Sequence, residues 1–476
     1  MRRYFTIMLA LMVAANTASG QLQPQQNSKH PIHQLELQHA MRQNPPGGKL
    51  LIMSDIHFNP FCDPGIVNTL VQTDYTGWQS LFESSGDTSF GNYGADTYYR
   101  LFKSGLQAMQ SRNGHPDMII INGDFLCHDF GTTFSLQTGI QSQDSINSFI
   151  RKTTSFVCMM LRQYFPNAPV LPVLGNNDDY CGDYRIQRAG PFLSFFATQF
   201  QPMLHLMQSR NFTTTFSKGG YYMATMPWDS TQVFIGLNSI FFSPKYANAC
   251  NPTDTVDAGW EQFAWLRSTL TTCAAQGKKV WLSFHIPPGI DVYSSNNMGG
   301  PCESNAVGMW KEAYNDSFIA LVNQFSSTIT TSMAGHTHMD DFRLLGTGNM
   351  VTSFIHITPA VSPIFGNNPS FQEITWDTHR MQFLNSVTYQ FNGIGSPGKS
   401  NWEPEYDYAK TYGVTAIDAT NLTSVWKRIG EDATVRNEYL KYYYVNHPGT
   451  TPSPWKAYWC GIRYLTLMGF PKCNCK

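Results

Sequence analysis

The sequence predicts an α/β fold in which helices flank a largely parallel or mixed sheet. Two observations carry this. From about residue 48 onward, short aliphatic runs alternate with longer helix-like segments. The composition also supports a large core, with 476 residues, 42% hydrophobic, 14% aromatic and only 14% charged. The same counts exclude other classes. A disordered chain would be richer in charge and poorer in aromatic residues. The 32 basic and 33 acidic residues give a net charge of -1, so there is no basic surplus for nucleic acid.

In chain order, the N-terminus begins with Met1, Arg2 and Arg3. An apolar run over 4–15 comes next, then the small residues Ala18, Ser19 and Gly20. This pattern predicts a signal peptide over 1–20 and a lysosomal or extracellular location. Residues 21–47 read as a polar, flexible lead-in in which His30, His33 and His39 are solvated. Buried strands are expected at 49–54 (KLLIMS), 117–122 (DMIIIN), 169–174 (PVLPVL), 232–237 (QVFIGL) and 279–284 (KVWLSF). Helices are expected near 96–112, 143–165, 258–276 and 306–325. Further strands with polar turns run over 328–391. Residues 393–400 (GIGSPGKS) read as a linker, which closes a main domain of 48–392. Residues 401–476 read as a small helical lobe rich in Tyr and Trp, with three cysteines. The ten cysteines are an even number without a CxxC pair. That predicts disulfides in an oxidising compartment and not a zinc knuckle. Sequons at Asn211, Asn315 and Asn421 make a glycoprotein of that compartment the expectation.

The chemistry lies in the loops at the strand ends. Ser54-Asp55-Ile56-His57 succeeds the first strand and Asn122-Gly123-Asp124 the second. Gly175-Asn176-Asn177-Asp178 succeeds the third. Phe284-His285 ends the strand at 279, and Gly335-His336-Thr337-His338 comes after residues 328–333. Ligand sites of open α/β sheets form at the carboxyl ends of strands, so these five loops should converge. Imidazoles, a carboxylate with two oxygens to share and an amide carbonyl suit a pair of divalent cations. Any one of these elements alone would read as a turn. Five in order point to a metal centre.

The order D-x-H, G-D, G-N, H, G-H-x-H resembles the calcineurin-like metallophosphoesterases. Residues 285–289 (HIPPG), 335–342 (GHTHMDDF) and 357–369 (ITPAVSPIFGNNP) resemble their acid sphingomyelinase and acid sphingomyelinase-like phosphodiesterase branch. The resemblance runs from about residue 48 to the C-terminus. It implies a four-layer sandwich of two mixed sheets flanked by helices, with the helical lobe appended. It implies one cation held by Asp55, His57, Asp124 and His338, and a second by Asp124, Asn176, His285 and His336, with Asp124 bridging. The purple acid phosphatases of the superfamily carry a Tyr three residues after the bridging Asp. Here that residue is Cys127, which favours two Zn²⁺ over an iron–tyrosinate centre. The resemblance also implies a disulfide near the His285 loop, which Cys250 and Cys302 bracket.

Two such cations would supply an acidified water for in-line attack and would neutralise phosphoryl charge. The leaving oxygen then needs a proton unless it is already a good leaving group. Family members place a His directly after the metal-binding Asn, but this chain has Asn177, which cannot serve as an acid. His128, four residues after Asp124, matches a second family histidine and is the remaining candidate acid. His356 reads as a core residue and not a ligand.

The expected activity is that of a phosphodiesterase cleaving sphingomyelin to ceramide and phosphocholine, or a related diester. Asn177 biases it toward nucleotide or anhydride substrates with weaker-base leaving groups. The lead-in contains no cysteine, so the cysteine-dense saposin-type domain of acid sphingomyelinase is not expected. The alternatives are a nucleotide phosphodiesterase or phosphatase on the same scaffold, and an impaired paralogue that binds lipid or a partner. The chain is expected to act as a monomer on a phospholipid or nucleotide, with at most transient membrane contact through the aromatic lobe.

Overall fold

Buried aliphatic strands organise the chain into two six-stranded mixed sheets. The computed structural model describes residues 47–209, 211–395, 401–447 and 450–475, which fall in one compact unit. The expected signal peptide, and the lead-in except its last residue, lie outside the described residues, as do 396–400 of the expected linker.

The first sheet has the order β12-β11-β10-β1-β2-β3. Its strands are β1 (Gly48–Met53), β2 (Ile119–Ile121), β3 (Val170–Pro172), β10 (Ser370–Asp377), β11 (Gln382–Phe391) and β12 (Trp402–Asp407). β1, β2 and β3 are parallel, with Leu51 opposite Ile119 and Ile119 opposite Val170. β10, β11 and β12 are added antiparallel. The second sheet has the order β4-β5-β6-β7-β9-β8. It contains β4 (Tyr222–Thr225), β5 (Gln232–Gly236), β6 (Lys279–Ser283), β7 (Ile329–Ala334), β8 (Asp341–Thr347) and β9 (Met350–Ile357). β5, β6, β7 and β9 run parallel. β1, β2, β3, β5 and β6 are buried nearly throughout, which is why they appear in the sequence as mainly apolar runs.

The sheets face one another. Trp281 of β6 meets Trp376 of β10 at 4.9 Å between ring centroids and donates its indole N–H to the Met381 carbonyl at 2.7 Å. Helices cover the outer faces. Tyr99–Arg112 packs on the first sheet and on Gln143–Tyr164, while Ala258–Ala275, Glu312–Gln324, Ala419–Glu431 and Trp455–Arg463 pack on the second. This is the expected four-layer sandwich with a helical C-terminal region.

Several expectations need correction. Residues 402–407 are not helical. They form edge strand β12, because Trp402 and Tyr406 alternate inward and Trp402 packs against Phe371 and Phe391. The helix expected from 306 starts at Glu312. The chain before it stays extended against the 289–291 loop, where Asp291 N donates to Val307 O at 2.8 Å. Cys250 does not pair with Cys302. The disulfides are Cys181–Cys250, Cys302–Cys475 and Cys460–Cys473. Cys250 thus pins the loop after the third strand, and Cys302 ties the His285 region to the C-terminal helices. Cys62, Cys127, Cys158 and Cys273 are free. Asn315 is buried. It accepts from Gly289 N at 2.9 Å and donates its amide to Leu465 O at 3.1 Å, so its nitrogen is not available for a glycan in the folded chain. Asn211 is exposed, and Asn421 is partly buried with its amide on Asp418.

Candidate metal centre

All five loops leave the carboxyl ends of their strands and meet where the two sheets converge. Main-chain hydrogen bonds tie them together. Asp55 N donates to Gly123 O at 3.0 Å, His57 N to Asp124 O at 2.9 Å, and Gly335 N to His285 O at 2.9 Å. Asp178 accepts from Phe125 N, Leu126 N and Gly175 N at 2.8, 3.1 and 2.9 Å, locking the Asp124 loop to the Asn176 loop.

The glycines are explained by close approach. A Cβ on Gly175 would collide with the Asp124 carboxylate, and one on Gly335 with the Ser54 hydroxyl. Asp55, His57, Asp124, His336 and His338 all have φ between 42 and 70°. Non-glycine residues held there cost about 1–3 kcal/mol each, and such strain gathers at functional sites.

The side chains form two ligand clusters. Asp55, His57 and His338 make one, and Asp124, His285 and His336 the other; His57 also belongs to a third group with Asp96 and His128. His57 Nε2 lies 3.2 Å from His338 Nε2 and 3.4 Å from Asp124 Oδ2. His285 Nε2 lies 3.1 Å from Asp124 Oδ2, 3.1 Å from Asn176 Oδ1 and 3.3 Å from His336 Nδ1. All seven expected ligand residues are therefore together, with Asp124 between the clusters.

Hydrogen bonds behind these atoms decide what they can do. His57 Nδ1 faces Leu126 O at 3.0 Å and His285 Nδ1 faces Asn122 O at 2.6 Å. Carbonyls only accept, so both Nδ1 atoms carry the proton and, in the neutral rings, both Nε2 atoms present lone pairs to the centre. Asn176 donates its amide to Asp183 Oδ1 at 2.8 Å, which turns its carbonyl inward. His336 Nε2 is paired with the Tyr184 hydroxyl at 3.2 Å, leaving Nδ1 to the centre. Asp55 Oδ2 accepts from the Ser54 hydroxyl and from His336 N, whereas Asp55 Oδ1 is buried without a partner. Oδ1 faces three imidazole nitrogens at 3.3–3.8 Å.

Buried lone pairs facing lone pairs are what divalent cations satisfy, so the residues fit the metals the resemblance implies. Electrostatics without cations show the same demand. Burial pushes Asp55 up to about 7 and His57 down to about 4. For His285, burial opposes the charge, but Asp124 and Asp55 outweigh it and push the imidazole up to about 9. For Asp124, burial is outweighed by His285 and His57, which hold it well below the carboxylate range.

His128 lies beside this centre. Its ring stacks on His57 with centroids 4.2 Å apart. Its Nδ1 faces Asp96 Oδ1 at 3.0 Å, and Asp96 Oδ2 accepts the His128 backbone N–H at 2.8 Å. Burial works against a charged His128, but the hydrogen bond to Asp96 and its charge prevail and raise the histidine. Asp96 was not foreseen. It precedes a helix, not a strand end, and carries no motif. The 357–369 segment wraps the same face. Ser362 N donates to Asp55 O at 3.1 Å, its hydroxyl lies 3.3 Å from Asp96, and the Phe365 edge meets His338 at 4.5 Å. Asn177 donates its backbone N–H to Asp124 Oδ1 at 2.8 Å and its amide to Asp124 Oδ2 at 3.1 Å. His356 is a core residue, 2.7 Å from Gln372.

A cavity of about 440 Å³ opens above the metal clusters. Its walls include Lys245, Tyr184, Phe365, Tyr443, Tyr444 and Tyr458. Sequence reasoning missed Lys245 and Tyr184, which belong to no motif.

The fold and this centre define a metal-dependent hydrolase of phosphate diesters. The chain belongs to the calcineurin-like phosphoesterase family, whose model matches residues 48–340, and within it is a phosphodiesterase of the acid sphingomyelinase-like type. It is 25% identical over 437 residues to the Sphingomyelinase phosphodiesterase D of Dictyostelium discoideum, covering 86% of this chain and 91% of that one. It is 24% identical over 413 residues to the human Acid sphingomyelinase-like phosphodiesterase 3b, covering 84% of each. It is 25% identical over 446 residues to the human Cyclic GMP-AMP phosphodiesterase SMPDL3A, covering 90% and 91%. Three disulfides fit an oxidising compartment. Among the described residues no helix is long and apolar enough to cross a membrane.

Proposed function

We propose that the chain is a zinc phosphodiesterase of the secreted or lysosomal lumen, and that its substrate is a nucleotide-type phosphodiester. The observation that carries the reaction is the set of inward lone pairs, including the partnerless Asp55 Oδ1. Asp55, His57, Asp124 and His338 would hold one Zn²⁺, and Asp124, Asn176, His285 and His336 the other. When bound, the pair supplies an acidified water and neutralises phosphoryl charge. Asp183, Tyr184, Leu126 and Asn122 hold the ligand tautomers and orientations. His128, whose charged form the Asp96 hydrogen bond and charge favour, donates to the leaving oxygen. Asn177 donates hydrogen bonds but no proton.

Two observations favour the nucleotide class. Lys245 stands 5.2 Å from the Tyr184 ring centroid in the cavity wall, where it attracts phosphate and repels a choline headgroup. Asp183 and Asp291 stand in the same wall and accept hydrogen bonds from Asn176 and Ser294. Asn177 suits a leaving group that is itself a weak base. The second reading is sphingomyelin hydrolysis. It is supported by the relatives' names and by the tyrosine rings, whose faces can hold a quaternary ammonium.

Zinc-loaded protein assayed on a cyclic dinucleotide, on sphingomyelin in mixed micelles and on a chromogenic diester separates the readings. Higher kcat/KM on the dinucleotide is expected. Preference for sphingomyelin reverses the substrate assignment. Binding of a phospholipid without turnover of any of the three would leave an impaired binding protein.

A further inference from the structure

A second cleft, of about 750 Å³, lies beside the aromatic cavity. Asp183 lines both. The dividing walls are the two loops that carry the reaction. His128 faces the aromatic cavity, whereas its neighbours Cys127 and Asp129 face the second cleft. Asn176 faces the first, and Asn177 the second. Asn177 thus stands between the second cleft and Asp124, to which it donates two hydrogen bonds.

The clefts differ in chemistry. Tyrosine and phenylalanine rings dominate the first. The second presents the Asp129 and Asp183 carboxylates, the Arg185 guanidinium and the Thr132 and Ser135 hydroxyls together with apolar Phe130, Leu136, Ile146 and Ile150. Arg185, Asp129, Asp183 and Thr132 are exposed on its walls. Carboxylates, hydroxyls and one guanidinium beside apolar side chains match a sugar or nucleoside, which offers both several hydroxyls and flat apolar faces. The Cys181–Cys250 disulfide braces the loop that forms one wall.

We propose that this second cleft is a substrate subsite for a hydroxyl-rich group of sugar or nucleoside type on the second ester of the phosphodiester. The substrate's two substituents then lie in chemically different clefts on either side of Asn176 and Asn177. This rests on the nucleotide reading above and extends it: the preferred substrate joins two nucleosides, and a diester whose second ester carries a small group leaves the second cleft unfilled.

The test uses zinc-loaded full-length protein and the variants Arg185→Ala and Thr132→Trp, the latter filling the cleft from its helical wall. A dinucleoside monophosphate is compared with bis(p-nitrophenyl) phosphate, and binding of adenosine 5′-monophosphate is measured by calorimetry. Either variant is expected to raise KM for the dinucleotide about tenfold relative to the small diester, the scale of one charge-assisted hydrogen bond. Either should weaken nucleotide binding by a similar factor. Equal changes on both diesters, or nucleotide binding that is absent or unaltered, overturn the subsite. A wild-type protein that binds the nucleotide but cleaves neither diester instead overturns the proposed function, and the binding comparison still decides the subsite.

Discussion

Replacing Asp96 with Asn probes the acid assignment most sharply, because it alters both hydrogen bonds of His128 while replacing no expected metal ligand. Asp96 makes two bonds to the same residue. One carboxylate oxygen faces His128 Nδ1 at 3.0 Å and the other accepts the His128 backbone N–H at 2.8 Å. An asparagine has one acceptor and one donor at these positions. However the amide turns, one N–H of His128 loses its acceptor. A hydrogen bond to a charged group is worth about 1.5–3 kcal/mol, which corresponds to about 10–100-fold in rate.

The sign in pH derives from the raised state of His128. Its proton persists to higher pH than that of an ordinary histidine, so activity that needs the acid form holds below that raised value and falls as pH rises through it. Without the Asp96 charge, burial acts unopposed, and the fall moves to lower pH. The assay is kcat against pH for an alkyl phosphodiester and a p-nitrophenyl phosphodiester, with zinc content and thermal midpoint checked alongside. The alkyl diester should lose about 10–100-fold near neutral pH, while the p-nitrophenyl diester, whose leaving group needs no proton, loses far less. Equal losses on both substrates, or an unmoved alkaline limb, would refute the donor role of His128.

Other substitutions test the neighbouring assignments. Asn177→His restores a titratable group next to Asp124 and should raise turnover of alkyl diesters relative to nucleotides; an unchanged ratio in parallel kinetics contradicts the substrate bias assigned to Asn177. Peptide mass spectrometry of protein made in a secretory host should find glycan on Asn211 and none on Asn315, whose amide is buried against Leu465. Cys302→Ser opens the link to Cys475, which spans 173 residues, and should lower stability by about 2–4 kcal/mol in denaturant titrations, whereas Cys158→Ser, at a free buried thiol, should cost less.

The sandwich was legible because its parallel strands are buried on both faces. β1, β2, β3, β5 and β6 appear as mainly apolar runs at the expected positions. The helices Gln143–Tyr164 and Ala258–Ala275 begin behind the capping side chains of Ser142 and Asp257. All seven expected metal ligands lie together because each sits at or just past a strand end, which is visible in sequence order. Asp96, Lys245 and Tyr184 were not legible. Asp96 and Lys245 come from segments with no strand-end pattern, Tyr184 lies past the motif in the loop after β3, and only folding brings them to the site. Disulfide pairing failed for a related reason. Cys250 lies closer in sequence to Cys302 than to Cys181, yet it is the Cys181 loop that meets it in space. The β12 edge strand was hidden by tyrosines that read as helical. Its alternation is carried by only Trp402 and Tyr406.

The central claim is that the lone pairs gathered around Asp124 hold two divalent cations. Metal analysis of purified protein by plasma mass spectrometry, combined with anomalous scattering from crystals, tests it directly. Two zinc equivalents per chain are expected, with peaks between Asp55, His57 and His338 and between Asn176, His285 and His336, both adjoining Asp124. His338→Ala should lose the first peak and Asp124→Asn should deplete both. One equivalent, or peaks elsewhere with full occupancy in Asp124→Asn, would contradict the account.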